Sequence, residues 1–230
     1  MAGYARSSAL LLIAALLWLQ GIPAIAGEPP NLGDLKIEVL AYVQSGAYAR
    51  DLEAVDAEAR AYIEQRYSHV AKPALVLDID ETALSNWREI KADNFGFFVA
   101  GPCDLPDGPC GNDAWERLGR DTAIAPTLAL YRMARSRGVR VFFITGRYSR
   151  FRTATERNLR QAGYHGWTRL FMRPDGTTTK SAADFKAPIR KTIEAEGYTI
   201  VANVGDQPSD LKGGHEERAF LLPDPFYRIP

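Results

Sequence analysis

The stretch ALVLDIDET, residues 74–82, decides the fold because it joins a short apolar run to a group of acids. A continuous apolar run of this length is typical of a parallel strand that is buried on both faces. Asp78 and Asp80 follow directly, and residues two positions apart on an extended chain point to the same side. The stretch therefore predicts a buried parallel strand that delivers two carboxylates to one end of a sheet.

Strands and helices alternate along the rest of the chain. Apolar runs predict strands at 139–144, 169–172, 198–204 and 219–222, and helical spacing predicts helices at 126–136, 151–161 and 181–196. Two amphipathic helices, at 35–43 and 52–67, precede the first strand. This alternation is typical of an α/β fold with a Rossmann-like, doubly wound parallel sheet.

The segment 84–125 interrupts the alternation with aromatic residues, glycines, prolines and both cysteines of the chain. We interpret it as a small cap-like insertion over one end of the sheet. Its aromatic rings either line a substrate pocket or pack the insertion onto the core, and packing is the commoner role for any single ring. The rings are those of Trp87, Phe95, Phe97, Phe98 and Trp115.

The first 26 residues are typical of an export signal. Arg6 gives a positive start, residues 9–19 form an apolar run, and Ala24-Ile25-Ala26 matches a small-x-small cleavage pattern. The apolar run is short for a membrane span and Pro23 follows it, so we favour cleavage over an uncleaved anchor. We therefore expect a mature domain of residues 27–230, periplasmic or secreted, without stable membrane insertion.

Cys103 and Cys110 are the only cysteines, and a stretch rich in proline and glycine separates them. In an exported protein such a pair is expected to form a disulfide, and a reactive thiol is the less favoured interpretation. Closing so short a loop contributes about 2–3 kcal/mol at most. The disulfide would therefore hold a local loop rather than the core.

The charge of the chain is balanced, with 28 basic and 28 acidic side chains. Such a chain has no overall field that would steer it onto a nucleic acid polymer or an anionic membrane. The segment from Arg132 to Arg160 is rich in arginine, and we interpret these arginines as a solvated face. The sequence gives no oligomeric state.

Polar residues follow the other predicted strands as well. TGR follows one strand at 145–147, GDQPSD follows another at 205–210, and Lys180 or Lys186 opens the helix before the latter. Ligands bind at the carboxyl ends of the strands in open α/β sheets. Carboxylates that meet there would repel one another without a cation, and they offer the oxygen ligands that Mg²⁺ prefers. A threonine, backbone amides, a lysine and Mg²⁺ suit the stabilisation of a phosphoryl group.

Four segments, in this order, resemble the motifs of the haloacid dehalogenase (HAD) superfamily: VLDIDET, FFITGR, FKAPIR and VGDQPSD. Within that superfamily, LDIDETALSNW, KTIEAEGYTIVANVGDQPSDL and the terminal LPDPFYRIP resemble the subfamily IIIB acid phosphatases. This branch includes bacterial class C acid phosphatases and plant vegetative storage proteins. The resemblance covers nearly all of the expected mature chain, and it implies the HAD-like α/β fold.

The resemblance implies a magnesium-dependent acid phosphatase whose substrates are small phosphomonoesters. It makes Asp78 the nucleophile and Asp80 the acid and base. It also implies that Thr145, the amides around Gly146 and the side chain of Lys186 hold the phosphoryl group.

Magnesium would be held by the Asp78 side chain, the backbone carbonyl of Asp80 and the Asp206 side chain. Asp210 would contact the ligand residues and support the site without binding the metal ion itself. These assignments follow from the resemblance, position by position.

Three points refine the resemblance. Lys186, and not Lys180, matches the motif lysine, because FKAPIR precedes EGYTIV at the family's interval. Gln207-Pro208 stands where bacterial class C enzymes usually have Asn or Thr followed by Leu, so their substrate preference is not transferred. Asp78, which the resemblance makes the nucleophile, is present in this chain, and loss of catalysis is therefore not predicted.

The expected mechanism is an in-line attack by Asp78 while Asp80 protonates the departing alcohol. Asp80, now deprotonated, would then activate water to hydrolyse the aspartyl-phosphate. We expect the neighbouring carboxylates to raise the pKa of Asp80, which would suit an acidic working pH.

Three alternatives remain open. The same site could transfer phosphate to another alcohol, or the chain could be a non-catalytic storage or binding protein with this fold. A glycosyltransferase that uses Asp78-Ile79-Asp80 as its metal triplet fits poorly with TGR and the late Gly-Asp pair. Nucleoside monophosphates are one candidate substrate class, because rings in the insertion could stack on a base.

Overall fold

The computed structural model describes residues 27–177 and 181–229. The predicted export signal and Lys180 lie outside the described residues. Residues 27–31 have no regular secondary structure, and a compact unit begins at Leu32. Its elements are, in chain order, α1 (Leu32–Gln44), α2 (Ala47–Arg66), β1 (Pro73–Leu77), β2 (Leu84–Ser85), α3 (Trp87–Ala92), α4 (Asn112–Leu118), β3 (Thr122–Ala123), α5 (Ala125–Ser136), β4 (Arg140–Tyr148), α6 (Arg152–Gln161), β5 (Arg169–Arg173), α7 (Ala182–Ala195), β6 (Thr199–Gly205), α8 (Pro208–Leu211) and β7 (Arg218–Leu221).

Five parallel strands form the main sheet, in the order β5-β4-β1-β6-β7. The prediction that the first strand is parallel and buried is confirmed, since β1 pairs in parallel with β4 on one side and β6 on the other. The chain runs outward from β1 through β4 and β5 and then returns to β6 across β1. This reversal of direction makes the end of β1 the switch point at which ligands bind in such sheets. The prediction of a doubly wound α/β fold is confirmed.

Apolar residues cover both faces of the sheet. Leu75 and Leu77 of β1 pack into the larger core with α2, α5 and α6. Ala74 and Val76 point the other way and pack with Ile193 of α7. Alternate residues of the strand therefore enter different cores, which explains why its sequence is apolar without interruption.

The segment 84–125 has a structure of its own. β2 and β3 form an antiparallel pair near its two ends, and α3 and α4 lie between them. The predicted disulfide between Cys103 and Cys110 is present. Trp115 is buried, whereas Phe97 is 72% exposed and Phe98 is 44% exposed. The aromatic residues of the segment therefore divide into packed rings and rings open to solvent.

Within residues 27–177 and 181–229, no helix combines the length and the apolar character needed to cross a bilayer.

Candidate active site

Three carboxylates meet where β1 and β6 end. Asp78 follows β1 and Asp206 follows β6, and the Asp78 amide donates to the Val204 carbonyl at 3.0 Å. Side-chain oxygens of Asp78, Asp206 and Asp210 all lie within 4.8 Å of one another, and the three residues are buried. The pairing of neighbouring parallel strands therefore brings together acids that are more than 120 positions apart in the chain.

Lys186 lies between two of these acids. Its Nζ donates to Asp78 Oδ1 at 2.5 Å and to Asp210 Oδ1 at 2.6 Å. Burial lowers the pKa of Lys186, but the two carboxylates outweigh this effect and hold the pKa above its ordinary value. Burial also raises the pKa of Asp78, and the charge of Lys186 opposes that rise without cancelling it.

Both carboxylate oxygens of Asp206 accept hydrogen bonds. Thr82 Oγ1 donates to its Oδ1 at 2.9 Å, and Gln207 Nε2 donates to its Oδ2 at 2.6 Å. Burial raises the pKa of Asp206 well above its ordinary value, and the charges of Asp78 and Asp210 raise it further. The carboxylate is thus held in one orientation while its negative charge is poorly compensated.

The cluster has the chemistry of a divalent-cation site. Oxygen ligands, several carboxylates and mutual repulsion are the features that a hard cation such as Mg²⁺ requires and relieves. Among the described residues, Lys186 is the cation in hydrogen-bond contact with Asp78 and Asp210, so negative charge is in excess. The residues present therefore fit a divalent ion.

Asp80 lies on the other side of the site, against Arg147. Arg147 donates to Asp80 Oδ1 from Nη2 at 2.6 Å and from Nε at 3.0 Å, and Asn86 Nδ2 donates to the same oxygen at 2.9 Å. Asp80 Oδ2 accepts from Arg147 Nε at 3.2 Å. The Asp80 side chain is 27% exposed, so part of it remains open to solvent.

The expected rise in the pKa of Asp80 is wrong. Burial does raise this pKa, but the charge and hydrogen bonds of Arg147 outweigh burial, and the pKa is lowered. The error came from counting the neighbouring carboxylates and omitting the arginine. A guanidinium in direct contact acts on the carboxylate more strongly than acids that lie farther away.

Arg147 is the main site residue that the sequence analysis missed. It was grouped with the solvated arginines of the 132–160 segment, yet its side chain is 1% exposed and forms ion pairs with Asp80 and Asp121. These acids raise the pKa of Arg147 well above its ordinary value, although burial opposes them. The available signal was spacing, because Thr145 and Arg147 are two positions apart on β4 and therefore share a side of the strand.

Thr145 and Gly146 lie in the same part of β4. Thr145 is fully buried, and its Oγ1 accepts a hydrogen bond from the Arg147 amide at 3.1 Å. Gly146 is exposed, and a Cβ atom added to it would have open space around it. The strand therefore leaves room for an incoming group beside Gly146.

The sequence analysis also missed Asn86 and Glu81, which are hydrogen-bonded to each other next to Asp80. Glu81 is fully buried with a positive φ of 47°, and it accepts hydrogen bonds from the Asn86 amide and from Asn86 Nδ2. Asn86 Oδ1 accepts from Trp115 Nε1 at 2.8 Å. Asn86 therefore connects the segment 84–125 with Asp80, and its place in the quoted LSNW motif was the signal.

Comparison with known proteins gives a consistent result. The sequence model of the HAD superfamily, subfamily IIIB (Acid phosphatase), matches residues 33–230. The chain is 34% identical over 191 residues to "Stem 28 kDa glycoprotein" of Glycine max, a match that covers 82% of this chain and 72% of that protein. It is 33% identical over 190 residues to "Acid phosphatase 1" of Solanum lycopersicum, with the same two coverages.

A solved structure shares the fold. The class C acid phosphatase from Bacillus anthracis superposes with a TM-score of 0.67 and covers 85% of each chain. Its sequence identity to this chain is 18%. This likeness concerns the arrangement of helices and strands.

Proposed function

Because the chain belongs to the HAD superfamily, subfamily IIIB (Acid phosphatase), and is therefore a phosphomonoesterase, we propose that it acts with Mg²⁺ and through an aspartyl-phosphate on Asp78. The observation that carries this proposal is the position of the Asp78 carboxylate. It touches Lys186 at 2.5 Å, and its oxygens lie within 4.8 Å of those of Asp206 and Asp210. The proposed nucleophile is therefore buried beside the ammonium group of Lys186 and beside two carboxylates that could bind a metal ion.

The metal site is proposed to consist of the side chains of Asp78 and Asp206 and the backbone carbonyl of Asp80. Asp210 supports it, because its carboxylate lies in the same cluster but already accepts from Lys186 and from the Gln207 amide. When bound, Mg²⁺ supplies positive charge that keeps the acids ionised and offsets the charge on the phosphoryl oxygens.

The first chemical step belongs to Asp78 and Asp80. A carboxylate oxygen of Asp78 forms a bond to phosphorus while the bond from phosphorus to the alcohol oxygen breaks, and Asp80 gives that oxygen a proton. Thr145, the amide of Gly146 and the ammonium of Lys186 are proposed to hold the phosphoryl oxygens. Since Arg147 keeps the resting carboxylate of Asp80 ionised, the proton must be taken up before the step, and an acidic medium favours this uptake.

In the second step Asp80 acts as a base. Its ionised form, which Arg147 stabilises, takes a proton from a water molecule, and the water oxygen attacks phosphorus. The bond between phosphorus and Asp78 breaks, inorganic phosphate leaves, and the carboxylate of Asp78 is restored. Water and an added alcohol would compete at this step, which is where hydrolysis and phosphate transfer diverge.

The test uses the purified mature chain with p-nitrophenyl phosphate and a panel of nucleotides and sugar phosphates. We expect Asp78→Asn to reduce kcat by at least about 10³-fold, since it removes the nucleophile, and chelation of divalent metal to abolish wild-type activity. Asp51→Asn, at an exposed position on α2, is the matched control and should behave as wild type. Near-normal hydrolysis by Asp78→Asn would contradict the assignment of the nucleophile.

We also propose that the protein is exported and processed. The support is the sequence pattern of the first 26 residues, which ends in Ala24-Ile25-Ala26. N-terminal sequencing of the product from cells should give a chain that starts near Gly27. A product that starts at Met1 would contradict processing but would leave the phosphatase assignment intact.

A further inference from the structure

The C-terminal strap, defined as residues 222–229, runs from the edge of the sheet back to the acidic cluster. The Leu222 amide donates to the Gly205 carbonyl at 2.9 Å, so the strap starts beside the residue that precedes Asp206. Farther along, the ring of Phe226 packs 5.1 Å from the ring of Tyr48 and 5.2 Å from that of Trp87. The strap is therefore held at the site by both backbone and apolar contacts.

Gln207 links the strap to Asp206. Its Nε2 donates to Asp206 Oδ2 at 2.6 Å and to Asp224 Oδ2 at 2.5 Å, so one amide group joins two carboxylates. Its Oε1 accepts from the Ile229 amide at 3.0 Å. Because a backbone N–H occupies the amide oxygen, the NH₂ group must face the two acids.

We propose that Gln207, held in place by the C-terminal strap, is a positioning residue that sets the orientation of Asp206 for the metal ion. This inference rests on the proposed function, in which Asp206 is a metal ligand. Within the part of the chain that the structure describes, Thr82 donates to one oxygen of Asp206 and Gln207 to the other, and together these donors fix the rotation of the carboxylate. Loss of Gln207 would free that rotation and leave Asp224 facing Asp206 without the shared donor.

The strap reaches the other half of the site through Tyr227. The Tyr227 hydroxyl donates to Glu81 Oε2 at 3.2 Å, and Glu81 directly follows Asp80. The same short segment therefore contacts Glu81 beside Asp80 and Gln207 beside Asp206. A segment that only covered the apolar core would not require polar contacts with residues beside both Asp206 and Asp80.

The test measures metal binding directly, by Mn²⁺ electron paramagnetic resonance and Mg²⁺ calorimetry on the purified mature chain. Gln207→Met keeps the length of the side chain and removes both donors. We expect it to weaken metal binding by about 10–100-fold, the usual loss when a group that orients a ligand is removed. Excess Mg²⁺ should restore most of kcat, and KM for p-nitrophenyl phosphate should stay within about twofold of wild type.

Gln65→Met, at an exposed position of α2, is the matched control and should bind metal as the wild type does. A second variant ends the chain after Phe226, which keeps Asp224 and the packed ring but removes Ile229 and Tyr227. We expect this truncation to weaken metal binding as well. If Gln207→Met does not fold, the metal affinity of the truncated chain decides whether the strap contributes to metal binding.

Unchanged metal affinity in either folded variant would overturn the role of the strap and leave the proposed function standing. A wild-type protein that hydrolyses phosphomonoesters without binding Mg²⁺ or Mn²⁺ would instead contradict the proposed metal site, and with it the inference. Circular dichroism on every variant separates these results from loss of folding.

Discussion

At Asp80 the two oxygens of one carboxylate have different surroundings. Oδ1 accepts from Arg147 and from Asn86, whereas the contact of Oδ2 within the described residues is a 3.2 Å hydrogen bond from Arg147 Nε. In the proposed mechanism, the oxygen with fewer partners is the one that exchanges a proton with substrate or water. Arg147 therefore both orients the Asp80 carboxylate and favours its ionised form.

This arrangement predicts a specific effect of Arg147→Met. A misplaced acid harms substrates with poor leaving groups most, because those depend on proton donation in the transition state. We expect kcat/KM to fall about 10²-fold further for an alkyl phosphate than for p-nitrophenyl phosphate. The ratio of the two rate constants is the measurement.

Arg140→Met serves as the control for that experiment, since Arg140 begins the same strand and is exposed. Equal losses for both substrates would mean that Arg147 only supports the fold. Circular dichroism is needed here too, because removal of Arg147 leaves the buried carboxylate of Asp121 without its ion pair.

The sequence predicted Asp78, Asp206 and Lys186 as site residues because each follows or precedes an apolar run at a motif position, and the structure brings the three together. It missed Arg147 for a physical reason. Arginine is usually exposed, and a local excess of arginines is usually a solvated face. Burial of this one side chain depends on Asp80 and Asp121, which lie far from it in the chain, so composition alone gave no sign of it.

At the scale of elements, the strand that carries TGR is longer than its hydropathy predicts. The apolar run ends at Ile144, but β4 continues to Tyr148, and its register with β5 shifts between Thr145 and Tyr148. Polar residues at a strand end look like a loop in the sequence, yet their backbone still pairs. The irregular register is a common device for re-aiming side chains next to a site.

The short elements of the segment 84–125 were not predictable either. β2 and β3 have two residues each, too few for any periodicity to appear. The segment remains a proposed cap, and Asn86 joins it to Asp80, because Asn86 Nδ2 donates to Asp80 Oδ1 while Asn86 Oδ1 accepts from Trp115 Nε1.

The contact between α2 and α5 contains a buried acid, Asp56. Thr127 Oγ1 donates to its Oδ2 at 2.8 Å, while its Oδ1 has no partner among the described residues. Burial raises the pKa of Asp56 to about 7 from 3.8, and the hydrogen bond from Thr127 opposes the rise. The helices therefore pack best around a neutral side chain.

The sign of the resulting pH dependence is fixed. Between pH 3.8 and about 7 the folded chain keeps a proton that the unfolded chain releases, so this group makes the protein less stable as pH rises. Asp56→Asn removes the titration. We expect its free energy of unfolding, relative to wild type, to increase by roughly 2–4 kcal/mol between pH 4 and pH 7.

Urea unfolding of both proteins at several pH values measures this difference. The titration of all other groups affects both proteins equally and therefore cancels in the comparison. Parallel pH profiles for the two proteins would show that Asp56 is already ionised in the folded state.

At the scale of the whole molecule, equal numbers of acidic and basic residues conceal an uneven distribution. Negative charge is concentrated where β1 and β6 end, in Asp78, Asp206, Asp210 and Asp224. The alternation of strands and helices predicted the fold class, and the parallel pairing of β1 and β6 explains why distant acids converge. What the sequence could not give is the balance of charge inside the cluster, because this depends on which side chains are buried together.

That balance predicts two opposite effects of Asp206→Asn on stability. Without divalent metal, the variant should be more stable than wild type at neutral pH, since it removes one of three mutually repelling buried carboxylates. With Mg²⁺ at about 100 times its Kd, wild type should gain about 2.7 kcal/mol, and the variant should gain little. Thermal unfolding with chelator and with Mg²⁺ measures both effects, with Glu53→Gln, at an exposed position of α2, as control. If Mg²⁺ raises the melting temperatures of the two proteins equally, the ion does not bind at Asp206. If the variant is the more stable protein with chelator and the less stable one with Mg²⁺, Asp206 destabilises the metal-free fold and contributes to metal binding.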